Sequence, residues 1–294
     1  MWSIIVLLLY FDSTMSQTVY CLYSSDTILL NRDRITKETL ERDFDRLSNK
    51  NAANTKSCYL VLTIFFDYVR VQFTANPKFN SRLLTEEASL TVITSINYTR
   101  SNYIQTQLIY ACDATSENGN FCNEQFYFKL SSGELFWIFN TNYTELAMLL
   151  QPILYSRENE TELQLNCFKE EKLNASSCYE SVCFARQIDN ETNSTEMNCG
   201  MPKSWFTKKD IDIFVQLNIE TRLCLNGETY FEFSYTCNTN QCNGQDTINT
   251  MGVIISQYYN ISQLQLPSDL YRPDLSASYC QRITQKSTQS STFR

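Results

Sequence analysis

The sequence predicts a mainly β protein, laid out as two disulfide-stapled small β domains with one or two short helices inserted. Three observations predict it: stretches of period-two alternation, twelve cysteines, and two segments that close in the same way.

Alternation comes first. Val69, Val71 and Phe73 alternate with Arg70, Gln72 and Thr74, and Ile213, Val215, Leu217 and Ile219 alternate with Asp212, Gln216, Asn218 and Glu220. Such a period gives a strand one wet face and one buried face. Further strands are predicted at 58–66, 89–97, 103–111, 126–130, 134–139, 162–168 and 229–236, where Tyr, Phe, Ile, Val and Thr concentrate. Two helices are predicted. The first, near 35–48, sets Leu40, Phe44 and Leu47 on one stripe; the second, 143–151, follows Asn142, carries Glu145 in its first turn and stops near Pro152. Asn142 also heads a glycosylation sequon, so capping and carrying a glycan compete for it.

The cysteines set the compartment. Residues 1–16 read as a signal peptide: the apolar run from Trp2 to Phe11 falls short of the roughly 20 residues that span a bilayer. Small residues follow at Thr14 and Ser16, which places cleavage before Gln17. Beyond it lie Cys21, Cys58, Cys112, Cys122, Cys167, Cys178, Cys183, Cys199, Cys224, Cys237, Cys242 and Cys280, an even set that implies six bridges in an exported chain. Sequons at Asn97, Asn142, Asn159, Asn174, Asn190, Asn193 and Asn260 fit the same compartment. The tail, 281–294, is rich in Ser and Thr and reads as a flexible or O-glycosylated stalk. Apart from the signal peptide no transmembrane segment is legible, so a membrane anchor requires the natural chain to continue past residue 294.

The duplication sets the domains. The stretch from Cys58 to YACDATSENGNFCN is echoed from Cys183 to SYTCNTNQCN, each ending in an aromatic strand, a cystine loop and an asparagine, Asn123 or Asn243. Each is followed by a helix-prone stretch with a Leu-Tyr pair and another cysteine, Cys167 or Cys280. The first domain is then 17–160 and the second 161–280.

Composition excludes several chemistries. With 24 basic against 32 acidic residues and a formal net charge of -8, the chain is a poor match for nucleic acid or anionic lipid, which are held by Lys and Arg. It has no histidine, which removes Ser-His-Asp and Cys-His catalysis and His-ligated zinc. Its six glycines are too dispersed for a phosphate-cradling loop. Carboxylate-pair hydrolysis survives, with Glu170 and Glu171 or Asp210 and Asp212 as candidates on what reads as a solvated face. The stretch Asp113–Glu124 has oxygen ligands at EF-hand positions, but Gly119 comes one place late and Cys122 interrupts it, so a cystine hairpin is the reading. No catalytic residue, cofactor or metal is assigned. The aromatic load of 18 Tyr, 18 Phe and 3 Trp suits interfaces, and Phe136, Trp137 and Phe139 together with Tyr258 and Tyr259 are the candidate binding segments.

The run Cys237-Asn-Thr-Asn-Gln-Cys242-Asn243, with the spacing of Cys167, Cys178, Cys183 and Cys199 upstream, resembles the closing signature of the Ly6/uPAR (three-finger) superfamily. The likeness implies bridges Cys167–Cys183, Cys178–Cys199 and Cys237–Cys242, a reduced set Cys21–Cys58 and Cys112–Cys122 in the first half, and by parity Cys224–Cys280. Glu170 stands where the family places its second cysteine, and Thr236 where many members double one. The family's β fingers on a disulfide hub act as surface receptors, ligands or modulators. The chain is accordingly expected to be a non-catalytic secreted or cell-surface glycoprotein that binds an extracellular protein; the alternatives are an extracellular carboxylate-dependent hydrolase and a structural matrix or coat component.

Overall fold

The computed structural model describes residues 19–23, 28–31, 35, 36, 38, 39, 42, 51–55, 58–65, 68–74, 89–98, 103–112, 123, 126, 127, 142–161, 164–169, 172–178, 182–189, 194–200, 215–224 and 229–259. Their order is β1 Val19–Tyr23, β2 Ile28–Asn31, β3 Asn51–Thr55, β4 Cys58–Ile64, β5 Tyr68–Thr74, β6 Ser89–Asn97, β7 Tyr103–Cys112, α1 Tyr143–Leu154, β8 Leu165–Lys169, β9 Lys172–Cys178, β10 Cys183–Asp189, β11 Ser194–Cys199, β12 Gln216–Cys224, β13 Thr229–Cys237 and α2 Gln245–Tyr258. The protein is mainly β, as its alternation predicts. β6 coincides with the predicted 89–97, and β4, β7, β8 and β13 fall within a few residues of the other predicted spans.

Nine strands form one antiparallel sheet in the order β11-β10-β13-β12-β6-β7-β4-β5-β2, flanked by the pairs β1-β3 and β8-β9. One face is largely apolar: Leu217 and Ile219 on β12, Val92 and Ile96 on β6, Leu108 and Tyr110 on β7, Leu60 and Leu62 on β4, and Val69, Val71 and Phe73 on β5 are buried. Burying each such side chain contributes about 1.5–3 kcal/mol, which makes this face the main source of stability. Helices α1 and α2 lie over it. Tyr143, Leu146, Leu150 and Leu154 of α1 and Ile248, Met251 and Ile255 of α2 complete the same core. α2 packs on the ring of Phe233, which lies 3.8 Å from where a Cβ at Gly252 would sit, an ordinary contact distance.

The halves repeat one another about a pseudo-twofold axis. Inward from either side the order is the same, β5-β4-β7-β6 in the first half and β11-β10-β13-β12 in the second, and the two innermost strands are neighbours. β6 and β12 are each nine residues long and pair end to end, Asn97 with Gln216 and Ser89 with Cys224, so the axis passes through the central pair Ile93 and Glu220. Two copies of one strand meet here as they would in an isologous dimer. The first half carries the extra edge strand β2.

Three expectations are corrected. Of the strand predicted at 126–130 only Phe126 and Tyr127 are described, and both are helical; Phe126 stacks on Tyr110 at 4.0 Å and Tyr127 packs on Phe73 at 5.6 Å. Aromatic content signalled burial, and burial is what these residues have. Helix α1 does not stop near Pro152 but carries it inside and runs to Leu154, because Leu154 is fully buried and Asn238 donates its backbone N–H to the Leu154 carbonyl. Asn142 is exposed and caps α1 by accepting the Glu145 N–H on Oδ1 at 3.1 Å, while its Nδ2, the atom a glycan would use, donates to Glu145 Oε2 at 3.0 Å. The helix predicted near 35–48 is represented by helical Glu38, Thr39 and Arg42, led by Thr36, whose Oγ1 accepts from the Thr39 N–H while Thr39 Oγ1 accepts from the Thr36 N–H. The strand predicted at 134–139, the signal segment 1–16 and the tail 281–294 lie outside the described residues.

Candidate functional site

Two constellations stand out: a pair of cystine hubs, each knotted by one buried asparagine, and a row of buried charge on the sheet face away from the helices.

In the second hub, bridges join Cys167 to Cys183, Cys178 to Cys199 and Cys237 to Cys242, with Cα separations of 5.5, 5.7 and 6.2 Å. Cys58, Cys112 and Cys224 are bridged as well. The sulfur atoms of Cys167, Cys178 and Cys199 lie within 4.8 Å of one another, but each is committed to a disulfide and has no thiolate to offer a metal. Asn243, fully buried, follows the last cysteine. Its Oδ1 accepts from the Phe168 N–H at 2.9 Å, and its Nδ2 donates to the carbonyls of Phe168 and Phe184 at 2.9 and 3.0 Å. Phe168 follows Cys167, and Phe184 follows Cys183.

The first half repeats these three bonds. Asn123 Oδ1 accepts from the Leu22 N–H at 3.2 Å, and its Nδ2 donates to the carbonyls of Leu22 and Tyr59 at 2.9 and 3.2 Å. Leu22 follows Cys21, and Tyr59 follows Cys58. The Sγ of Cys112 lies 3.7 Å from the Cys58 carbonyl, as the Sγ of Cys237 lies 3.7 Å from that of Cys183, with a separation of 54 residues in both. The two asparagine knots therefore correspond to one another in three dimensions.

The charged row belongs to the second half. Glu220 on β12 faces Glu232 on β13, and two places along, Arg222 faces Tyr230; Glu220, Arg222, Glu232 and Tyr230 are all buried. Arg186 on β10 grips Glu232 with Nε and Nη2 at 2.6 and 2.7 Å, Tyr230 donates its hydroxyl to the same carboxylate, and Glu196 stands 3.9 Å from the guanidinium. Among the described residues, Glu220 accepts from Arg222, at 3.1 Å. Burial pushes the Glu220 carboxyl up to about 7, and the charge of Glu232 adds to this while Arg222 and Arg186 oppose it. Burial also disfavours charge on Arg186, but its bonds and attraction to Glu232 outweigh that and hold it above its ordinary range. Chemically the row presents one anchored carboxylate and one that exchanges a proton near neutrality.

Comparison with known proteins gives no relative. No family model, curated protein or solved structure matches the chain.

The candidates from sequence are placed unevenly. Tyr259 is buried, donates or accepts at Thr94 Oγ1 over 2.9 Å and packs edge-on to Tyr143, so it serves the core and not a binding surface. Tyr258 is half-buried beside Glu145 of α1. Phe136, Trp137 and Phe139 lie outside the described residues, as do Glu170, Glu171, Asp210, Asp212 and, Asn123 apart, the 113–124 loop. Among the sequons, Asn97 ends β6, half-buried, Asn142 is exposed, and Asn159 donates Nδ2 to the Asn238 carbonyl at 2.9 Å. Asn174 lies on β9, and Asn190, Asn193 and Asn260 are outside the described residues. The Glu220–Glu232 pair was missed. Glu220 is visible as the polar partner in the alternation of β12, but its burial needs the neighbouring strands.

Met148 and Leu149 of α1 are 61% and 45% exposed, with exposed Pro152 one turn on, although the opposite side of the same helix is in the core. A helix apolar on both sides has a second surface to cover.

Proposed function

We propose that the chain is a non-catalytic, secreted or cell-surface glycoprotein of two related repeats, three-finger-like in plan, that binds another extracellular protein. The observation that carries this reading is the outward apolar side of α1, Met148 and Leu149 with Pro152, on a scaffold fixed by disulfides. The bridges fit an oxidising compartment. Among the described residues no helix is long and apolar enough to cross a membrane. The matching asparagine knots support bridging Cys21 to Cys58 and Cys112 to Cys122, which leaves Cys224 for Cys280.

The test is binding by the intact glycoprotein. Met148→Asp with Leu149→Asp is expected to leave the circular dichroism spectrum and secretion level unchanged while abolishing binding to receptive cells. Undiminished binding refutes this surface.

A hydrolase reading has one observation in its favour, the facing carboxylates Glu220 and Glu232. Glu232 is already engaged by Arg186 and Tyr230, which leaves it poorly placed as a nucleophile or base.

A further inference from the structure

We propose that Glu220, at the centre of the joint between the repeats, is a proton-binding latch that tightens the β6–β12 seam in acidic surroundings. The position is singular by symmetry. On the pseudo-twofold axis, equivalent places of the two repeats meet, and one holds Ile93 while the other holds Glu220. The first repeat thus presents an apolar side chain to a buried carboxylate, and its flanking residues on the same face, Thr91 and Ser95, bring no charge. From the second repeat, Glu232 faces Glu220 directly and is held in place by Arg186 and Tyr230. Arg222 on the same strand supplies one hydrogen bond; Glu196 lies beyond Arg186, and Tyr259, reaching the opposite face of β6 from the end of α2, adds a hydroxyl bonded to Thr94.

Across the seam the Glu220 carboxylate is buried against Ile93, and a charge buried so carries a desolvation cost that opening the seam to water relieves; Glu232, facing it across β12–β13, adds like charge. Taking up a proton converts the Glu220 carboxylate to a carboxylic acid and removes that desolvation cost; the acid's carbonyl oxygen can still accept from Arg222, while the charge attraction between the two is given up. The sign follows from the shift. A carboxyl whose folded value, about 7, exceeds its unfolded value of about 4.3 contributes stability that is full below the unfolded value and lost as pH rises through the folded one. The seam is therefore firmest in mild acid and loosest in mildly alkaline solution.

The measurement is hydrogen exchange of the intact glycoprotein and its Glu220→Gln variant, corrected for intrinsic rates. Between about pH 8 and about pH 5.5 the opening of β6 and β12 amides in the unsubstituted protein is expected to fall by about tenfold or more. In the variant it is expected to stay flat. Equal pH responses in the two proteins, or none in the unsubstituted one, overturn the proposal. Carbon-13 titration of the Glu220 carboxyl in the unsubstituted protein tests it without any variant: a midpoint near neutrality supports the latch, and one near 4.3, the ordinary glutamate value, sinks it.

Discussion

Residues that follow cysteines do much of the structural labour here, and the two asparagines show how. Asn243 is fully buried and satisfies backbone groups on three strands, β8, β10 and β11. Replacing it with alanine strands those groups away from water, so Asn243→Ala is expected to cost about 3 kcal/mol in urea unfolding. Asn123→Ala is expected to cost a similar amount. Arg186→Leu leaves the Glu232 carboxylate without its clamp and is expected to destabilise by about 3 kcal/mol in the same assay. The asparagines were legible in the sequence as the ends of an echoed motif, whereas what they hold was not. A motif names a residue, but a hydrogen-bond partner 101 positions away is chosen by the fold. The charged row was hidden for the same reason: Arg186, Glu220 and Glu232 converge from three strands.

At the scale of elements, helix α1 separates effects that the sequence ran together. Thr144→Ala removes the sequon and leaves the Asn142 cap intact; intact-mass analysis is expected to show a lost glycan, with thermal stability changed by no more than the glycan itself contributes. Asn142→Ala removes both, and its stability is expected to fall a further 1 kcal/mol or so below that of Thr144→Ala. Space explains another position. A Cβ on Gly244 would come within 2.8 Å of the Phe168 ring, so Gly244→Ala is expected to lower the unfolding midpoint although its backbone angles suit alanine. Strands were legible because period-two patterning is local, and β6 came out residue for residue. The helical turn at Phe126 and Tyr127 was not, since aromatic side chains favour strands by propensity and here are recruited by Tyr110 and Phe73.

For the whole molecule, the echo in sequence foretold a repeat but not the way the halves join. The sequence reading separated 17–160 from 161–280, while the strands of both meet in one continuous sheet, and α1, from the first range, is tied at its C-terminus to Asn238 and Thr239 of the second. Edge pairing of β6 with β12 depends on main-chain groups that every residue carries, which is why no side-chain pattern announced it. Non-reducing peptide mapping is expected to recover Cys167–Cys183, Cys178–Cys199 and Cys237–Cys242 together with Cys21–Cys58, Cys112–Cys122 and Cys224–Cys280. Cys21 joined to any other partner refutes the equivalence of the two hubs. The second knot also has a chemical lifetime. Asn243 precedes Gly244, the pairing most prone to deamidate through attack of the following backbone nitrogen on the side-chain amide, and in the folded protein that nitrogen donates to the Gln241 carbonyl while the amide is held by three strands. A chain kept reduced and unfolded therefore ages at residue 243 to an acid that can no longer donate, and the time spent unfolded becomes the limit on how much of it can ever refold.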